Sequence, residues 1–397
     1  MSHVRSKLPG PNARGALGTA AITLALALAA CSGSAAPASQ PPAGSAAGPA
    51  SPAASAPASA VASPGLQAIV DGARKEGKLQ LVWGGGSMGA DEGARAFAAG
   101  LNKRYGLNLD VQFTLGPSMP DMAAKILQEF QTNRPASSDV MLGSEAHFPP
   151  LMAAKALETV DWASWSETIK DPQLLGTPDG QAVKVAARTP GITYNSNKIK
   201  GDAIPHSMDD LLKPQYKGRI ASTSYGANFD RMAADEWWGQ QKTLDYLTKF
   251  SNQLSGLIRC GDNERVASGE FDIFALDCGA EDALRAQAKG APVAQIVPTD
   301  AASLVYWYMG VPKNAAHPNA AKLFINYVMT PEGQDITWKT SFDDQVLLPG
   351  SHSAAEVAKL KAAGVVMKSV DIDFVLRNDE KKLSQTREQI QNILAKK

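Results

Sequence analysis

The chain has 397 residues, of which 44% are hydrophobic and 20% are charged, and its formal net charge is zero. That length accommodates one large domain or two smaller domains with cores of their own. The charge balance lacks the basic excess that nucleic-acid binding needs, so the composition argues against a nucleic-acid partner.

Residues 1–31 have the pattern of an export signal. Three basic residues lie within the first fourteen, and an apolar run from Ala16 to Ala30 follows. The run is too short to span a membrane comfortably and is typical of a secretory signal. It ends in Leu-Ala-Ala-Cys, which resembles a bacterial lipobox, in which the cysteine (here Cys31) becomes the lipidated first residue. An ordinary signal with a chance cysteine is the alternative.

Residues 32–65 consist almost wholly of alanine, serine, proline and glycine and carry no charge. Such a segment cannot bury enough apolar surface to offset the entropy lost on ordering, so we predict a flexible tether. Signal, lipidated cysteine and tether together predict an exported protein that is lipid-anchored to the outer face of the cytoplasmic membrane.

The body begins with strands that alternate with helices. Strands are predicted at Leu79–Trp83, Leu109–Thr114 and Asp139–Leu142, and this alternation is typical of a parallel α/β sheet. Ligands bind at the carboxyl ends of the strands in such sheets. The loops after the first and third strands therefore supply the first candidate ligand residues, namely Gly86, Ser87, Met88, Ser144, Glu145 and His147.

The glycine-rich loop after the first strand formally matches the dinucleotide pattern G-x-G-x-x-G. The second strand does not end in the acidic residue that the pattern requires, so we favour a loop whose backbone N–H groups, with Ser87, face a ligand. Glu145 and His147 could ligate a metal or hydrogen-bond a polar ligand. A loop cap and a surface histidine are an equally good interpretation of these two residues.

Residues 190–228 indicate a crossing from one α/β body to another. Pro190-Gly191 lets the chain turn, and a new strand is predicted at Arg219–Ser222. Arg188 lies just before the crossing, where it could clamp a carboxylate or phosphate, or form a structural ion pair.

The alternating pattern restarts after the crossing, with a helix predicted over Arg231–Trp238. Two further predicted strands end beside Cys260 and Cys278. An exported protein meets an oxidising environment, so we favour a disulfide between them over two separate buried thiols. A second crossing is predicted at residues 298–300, and the remainder of the chain is mostly amphipathic helix.

Four motifs in this order resemble those of bacterial extracellular solute-binding proteins of ABC importers, especially the ferric-iron and related small-ligand group. They are the lipobox, the hinge Y-N-S-N-K-I … M-D-D-L-L-K-P-Q-Y-K-G-R-I, the segment R-V-A-S-G-E-F-D-I, and the helix at residues 317–334. The resemblance covers residues 66–397. It implies a periplasmic-binding-protein-like fold of type II, in which two crossing strands join two α/β lobes. Lobe 1 would comprise residues 66–188 and 303–397, and lobe 2 residues 189–302.

Further candidate ligand residues lie on predicted strand-end loops of lobe 2 and offer hydroxyl, amide and carboxylate groups to a small polar ligand. They are Ser224, Tyr225, Asn228, Asn263 and Asp277.

The resemblance also bears on iron. Ferric-binding relatives carry two adjacent tyrosines at the place where this sequence has Asp277-Cys278-Gly279, while Tyr306 and Tyr308 lie elsewhere. We therefore expect no metal ligand and no cofactor, and keep a metal-binding version of the same fold as an alternative.

These patterns predict a monomeric, lipid-anchored protein that captures a small polar or anionic solute between two lobes and delivers it to ABC permease subunits. Enzyme motifs such as G-x-S-x-G and H-E-x-x-H are absent from the sequence, so we expect no catalysis. The alternative from another class is an exported enzyme or a ligand sensor for a membrane kinase.

Overall fold

The computed structural model of this chain describes residues 63–226, 228–378 and 380–396, with the backbone alone at positions 380 and 381. The described residues belong to one compact unit. The predicted signal with Cys31, and the predicted tether up to position 62, lie outside these ranges. Within them, no helix combines the length and the apolar character needed to cross a membrane.

Short strands and helices alternate along most of the chain. The strands are β1 Lys78–Trp83, β2 Asp110–Leu115, β3 Met141–Ser144, β4 Val183–Arg188, β5 Ile192–Asn195, β6 Ile220–Thr223, β7 Leu254–Ile258, β8 Ile273–Ala275, β9 Val293–Ile296, β10 Ser303–Gly310 and β11 Lys368–Val370. The α-helices are α1 Pro64–Glu76, α2 Ala90–Tyr105, α3 Met119–Gln131, α4 Phe148–Ala153, α5 Trp162–Trp165, α6 Phe229–Met232, α7 Gln240–Ser251, α8 Asn263–Ala267, α9 Ala280–Ala288, α10 Pro318–Val328, α11 Pro331–Ser341, α12 His352–Ala362, α13 Ile372–Arg377 and α14 Glu380–Leu394.

Several helices begin where the sequence supplies a hydroxyl group followed by proline. Ser63 accepts a hydrogen bond from the Leu66 N–H at 3.2 Å at the start of α1, and Thr330 accepts one from the Gly333 N–H at 3.1 Å at the start of α11. Each hydroxyl satisfies an N–H that has no partner within its helix, and proline fits the first helical position because it has no N–H to lose.

The first lobe contains two sheets. β1 pairs in parallel with β2, and β10 lies between β11 and β3 while also pairing with β4. The largest core of this lobe packs Trp83 and Phe97 against Phe324 of α10, all of them fully buried. Leu66 and Val70 of α1 join the same core. Because α1 begins at Pro64, capped by Ser63, the prediction that the tether extends to residue 65 is wrong for its last residues.

The second lobe is built on a sheet with the strand order β7-β6-β8-β5-β9. Its core packs Phe229 and Phe250 against β-branched residues such as Ile220 and Ile273. Aromatic rings from α6 and α7 therefore cover the face of this sheet, and the second lobe has an interior separate from that of the first.

Both lobes have mixed sheets, so the expectation of a parallel sheet is wrong for particular strands. β10 runs antiparallel to β3 and β4, and β5 runs antiparallel to β8 and β9. The reason is that β5 and β10 each follow a passage from one lobe to the other. Within each lobe, βαβ connections place successive strands parallel to one another. A strand that arrives from the other lobe runs antiparallel to them.

The chain passes between the lobes at residues 189–191 and again between β9 and β10. It returns to the second lobe after α13, because α14 packs on α6 and α7 and buries Ile390 and Leu394 in the second core. This helix departs from the prediction that residues 303–397 belong to lobe 1, since the second core covers its apolar face. The other predicted lobe boundaries remain predictions.

The packing of α14 can be tested with Ile390→Ala. We expect the change to lower the free energy of unfolding by about 2–5 kcal/mol, because it leaves a cavity in the second core. Urea unfolding followed by tryptophan fluorescence measures the loss. The control Glu388→Ala alters an exposed side chain of the same helix and should change stability by less than about 0.5 kcal/mol. Equal stability of the two variants would show that α14 does not depend on the second core.

Candidate functional site

A contact between Arg377 of α13 and Glu236 joins the lobes at an exposed position. Two further groups of charged side chains that connect the lobes are mostly buried. The first, which we name the cleft pair, consists of Glu145 in the loop after β3 and Arg231 in α6. The second, which we name the hinge cluster, consists of Arg188 at the end of β4, Glu281 in α9 and Asp343 after α11. Both groups lie at ends of strands or helices, as expected for a site between two α/β lobes.

Glu145 is almost fully buried, and its carboxylate meets the guanidinium of Arg231 from the other lobe. Oε1 of Glu145 accepts hydrogen bonds from Nη2 and Nε of Arg231 at 2.7 and 3.3 Å. Within the described residues, Oε2 of Glu145 is buried and has no hydrogen-bond partner. A buried carboxylate oxygen without a donor is costly, so this atom marks a place where a ligand group could bind.

Arg231 is held in turn by Asp230, which accepts hydrogen bonds from its Nη1 at 2.8 and 3.0 Å. Asp230 also accepts from Nε of Arg387 in α14 at 2.9 Å. Burial alone would raise the pKa of Asp230, but the two guanidinium groups hold it below its usual value. The C-terminal helix therefore helps to position the arginine of the cleft pair.

His147 follows Glu145 closely and is mostly buried. Its Nδ1 accepts a hydrogen bond from the Ser144 N–H at 3.0 Å and lies 3.3 Å from the Ser144 hydroxyl oxygen. Burial, with a smaller effect from the positive charge of Arg231, lowers the pKa of His147 to about 4. The imidazole is therefore neutral at neutral pH and adds no charge to the cleft.

The glycine-rich loop exposes fewer side chains to a ligand than the sequence suggested. Ser87 and Met88 are buried, while Gly86 is exposed. The Ser87 N–H donates to the Gly84 carbonyl at 3.2 Å, which closes a turn. That this loop contacts a ligand stays a prediction, and only the Gly86 backbone is open to solvent among the three candidates.

Asp277 is buried and engaged with the first crossing. Its carboxylate accepts hydrogen bonds from the N–H groups of Gly191 and Gly279 at 2.8 and 3.1 Å, from the Thr193 hydroxyl at 2.5 Å and from the Gln295 amide at 3.0 Å. Burial raises its pKa to about 6, against the effect of these bonds. Asp277 thus joins the end of β8 to β5 and β9, and its predicted role in ligand binding remains untested.

The other second-lobe candidates differ in their accessibility. Ser224 and Tyr225 are exposed, and Asn228 donates from its amide to the Asp277 carbonyl at 3.0 Å. Asn263 is buried, and its Oδ1 has no hydrogen-bond partner within residues 63–226, 228–378 and 380–396. Ser224, the exposed ring of Tyr225 and the Asn263 oxygen are therefore the groups that could still meet a ligand.

Cys260 and Cys278 lie side by side at the ends of β7 and β8. Their Cα atoms are 5.7 Å apart, which is within the range of a disulfide. The hydroxyl of Tyr225 donates to the Cys260 sulfur at 2.7 Å and accepts from the Cys260 N–H at 3.0 Å. This places the exposed ring of Tyr225 against the two cysteine loops.

Arg188 does not face open solvent. Its Nη1 lies 2.9 Å from Oε1 of Glu281, and its Nε and Nη2 donate to Oδ2 of Asp343 at 2.9 and 2.7 Å. The guanidinium also lies over the ring of Trp307, 4.4 Å from its centre, in cation–π geometry. Of the two interpretations of Arg188, the structural ion pair describes its contacts, and a ligand contact stays a prediction.

Sequence reasoning did not single out Arg231, Glu281 or Asp343. Arg231 was placed inside a predicted helix over Arg231–Trp238, whereas the helix ends at Met232. Glu281 and Asp343 are brought to Arg188 by folding from distant parts of the chain. A possible signal was the position of Glu281 directly after the strand-end segment Asp277-Cys278-Gly279.

The described residues contain no group of three histidine, cysteine, aspartate or glutamate side chains placed to share a metal ion. Tyr306 and Tyr308 are buried in the first lobe, where Ser369 donates to one hydroxyl and the Ile372 N–H to the other, each at 3.3 Å. Gly279 has a φ of 146°, and a Cβ there would meet the Glu281 carboxylate. A tyrosine could therefore not occupy this position without rearrangement.

The sequence has relatives among proteins of known family. A family model described as bacterial extracellular solute-binding protein matches residues 96–368. An uncharacterized protein of Haemophilus influenzae is 25% identical over 180 residues, which cover 43% of this chain and 50% of that protein. The chain thus matches about half of that relative's length.

Solved structures show the same fold. The spermidine/putrescine ABC transporter substrate-binding protein PotD from Streptococcus pneumoniae aligns with 80% of this chain and 99% of its own, with a TM-score of 0.60 and 19% identity. Iron-bound HitA from Pseudomonas aeruginosa aligns with 79% of this chain and 99% of its own, with a TM-score of 0.61 and 17% identity. These similarities confirm the predicted type II periplasmic-binding fold.

The cleft pair can be tested with Glu145→Gln, which keeps the shape of the side chain but removes its charge. A charge-assisted hydrogen bond contributes about 1.5–3 kcal/mol. Its loss should raise the ratio of open to closed lobe arrangements by about tenfold or more. Distances between spin labels on the exposed positions Lys103 and Lys249 measure the shift, which should be to longer values.

The control is Asp91→Asn, which removes an exposed ion pair with Arg95 within the first lobe and should leave the label distances unchanged. Identical distance distributions for Glu145→Gln and the unaltered protein would mean that the cleft pair does not hold the lobes together.

Proposed function

This chain belongs to the bacterial extracellular solute-binding proteins, and we propose that it captures a small polar or anionic solute between its two lobes and delivers it to the membrane permease of an ABC importer. The observation that carries the proposal is the contact between Glu145 and Arg231 across the lobes, beside a buried carboxylate oxygen that has no donor within the described residues. A solute that bound there would touch both lobes at once.

The candidate groups suit a solute with both donors and acceptors. Oε2 of Glu145 and Oδ1 of Asn263 need donors, and both are buried without a partner in the part of the chain that the structure describes. Ser224, an exposed residue of the second lobe, carries a hydroxyl that can donate or accept. Binding to groups of both lobes stabilises the arrangement in which the lobes are together, which is the form that the permease would recognise.

We propose capture without chemical change of the solute. The family is one of solute-binding proteins, and the ionisable groups at the cleft are committed to one another, since Arg231 holds Glu145 and Asp230. The same groups would serve a sensor as well as an importer, so the choice of an importer rests on the family. A metal as the solute is the other outcome that the experiment below must distinguish.

The first experiment is native mass spectrometry, with metal analysis, of the folded unit from Ser63 onward. We expect a co-purified organic mass that is lost on denaturation. The same compound, added at about a hundredfold excess over its Kd, should stabilise the protein by about 2.7 kcal/mol. Arg231→Gln should weaken its binding at least tenfold, whereas Asp91→Asn should have no effect. Stoichiometric iron would instead establish metal transport, and turnover of the compound would contradict a pure binding role.

We also propose that Cys31 carries a lipid and that Cys260 and Cys278 form a disulfide. The lipobox supports the first, and the 5.7 Å between Cα atoms supports the second. Mass spectrometry of the protein extracted from membranes should show a lipidated N-terminal cysteine and a mass lower than that of the reduced chain by two hydrogen atoms. Cys31→Ser should release the protein from membranes without affecting the disulfide. A membrane-bound Cys31→Ser variant would contradict the anchor, and free thiols at positions 260 and 278 would contradict the bridge.

A further inference from the structure

A groove runs between the lobes on the side of α9 and α12. Its volume is about 620 Å³, and it is lined by α9 and β9 of the second lobe and by α12 and Trp338 of the first lobe. A smaller cavity of about 70 Å³ adjoins its inner end. The two share a boundary formed by Thr189, Ala280, Leu284, Trp338, His352 and Glu356. We name this continuous space the hinge groove, and neither residue of the cleft pair lines it.

The inner cavity is lined by the hinge cluster, in which one guanidinium faces two carboxylates. Glu281 and Asp343 are each only 2% exposed. Each uses one oxygen for Arg188. Within the described residues, the second oxygen of each, Oε2 of Glu281 and Oδ1 of Asp343, is buried without a hydrogen-bond partner. The cluster therefore has one negative charge in excess and two acceptors in need of a donor.

The other charged groups near this cluster offset the missing positive charge only in part. Arg285 of α9 pairs with Asp282 at 2.8 Å, and its charge also acts against the burial that raises the pKa of Asp343. The Asp344 carboxylate accepts hydrogen bonds from the N–H groups of His352 and Ser353 at 2.7 and 2.9 Å, at the start of α12. Glu356 of α12 lines both parts of the groove and pairs at 3.2 Å with Lys359 of the same helix, and Lys359 and His352 also line the outer part.

Protonation of Glu281 can offset part of the excess negative charge of the hinge cluster. Burial raises the pKa of Glu281 to about 8, with Asp282 and Asp343 adding to the effect and Arg188 opposing it. Glu281 is therefore largely protonated at pH 7. A cation placed beside its carboxylate would favour the charged form and would displace that proton.

The walls of the groove determine what kind of cation fits. Leu284, Leu304 and Phe342 surround the carboxylates in the inner cavity, and Ala283, Ala355 and Leu360 continue the apolar surface outward. Calcium or magnesium would need waters to complete a shell of six or more oxygen ligands, and an apolar cavity of about 70 Å³ has little room for them. An ammonium group has three N–H donors and can carry an apolar chain.

We propose that the hinge groove binds a primary alkylamine, with its ammonium group on Glu281 and Asp343 and its alkyl chain between α9 and α12. The bound ammonium completes the charge of the hinge cluster. Because the two walls belong to different lobes, an occupant also ties the lobes together on the side away from the cleft pair. The proposal rests on residues that take no part in the cleft, so it stands whether or not the proposed transport function does.

The test is titration calorimetry of the mature protein with butan-1-amine and, as a neutral probe of equal length, butan-1-ol. We expect one site for the amine and at least tenfold weaker binding of the alcohol. Between pH 7 and pH 8 the amine affinity should rise by several-fold, up to tenfold, because binding releases the proton of Glu281, while the amine, like a lysine side chain, stays charged.

Two variants test the two parts of the groove. Glu281→Gln should weaken binding of the amine at least tenfold at pH 8 and should abolish the pH dependence of the amine affinity. Ala355 lies at an exposed position on α12. Ala355→Trp should block the apolar part of the hinge groove and weaken binding of the amine as much as Glu281→Gln does, without lowering the thermal stability of the protein. The control Glu264→Gln, at an exposed position of the same lobe as Glu281, should bind normally. Equal binding of amine and alcohol, or unchanged amine binding in both groove variants, overturns the proposal.

Discussion

The guanidinium group of Arg188 meets the carboxylates of Glu281 and Asp343 at the point where the chain first crosses between the lobes. Burying charged groups costs several kcal/mol per ion, and the mutual contact of these groups, with Glu281 largely protonated at pH 7, compensates for that cost. Loss of one partner leaves a buried charge uncompensated, which typically costs 3–5 kcal/mol. Because the three residues belong to β4, α9 and the end of α11, this contact fixes elements of both lobes at once.

The contrast between the lobe interiors and the boundary between them follows from the same physics. Trp83 and Phe324 pack in one core and Phe229 and Phe250 in the other, while a small apolar cluster around Phe374 joins the lobes. Apolar contacts oppose separation in proportion to their area, so a small cluster costs little to open. The cleft pair and the hinge cluster are ionic contacts between the lobes, and a ligand or water can replace either partner in such a contact. Each lobe is therefore rigid inside, and the boundary is where the molecule can rearrange.

Sequence patterns located most of the strands to within a few residues, because apolar runs bounded by glycine and proline are local signals, but they did not predict β4 or β11. They also placed Glu145 and Asp277 at strand ends. They failed where partners come from distant parts of the chain: Asp343 reaches Arg188 across 155 positions. Arg231 was missed because the segment up to Trp238 was taken as one helix, which hid its place at the boundary. The path of α14 was missed because an amphipathic helix does not specify which core covers it.

The segment Asp277-Cys278-Gly279 shows how these constraints act on recognition. At the place where the resemblance to ferric-binding proteins predicts two tyrosines, each residue here has another task. Asp277 accepts hydrogen bonds from four partners, one of which is the N–H of Gly191 in the first crossing. Cys278 faces Cys260, and Gly279 leaves room for the Glu281 carboxylate to reach Arg188. A bulky ligand residue in this segment would displace the hinge cluster. Two adjacent tyrosines therefore do not fit this segment, and the proposed solute site uses the charged groups of Glu145 and Arg231 instead.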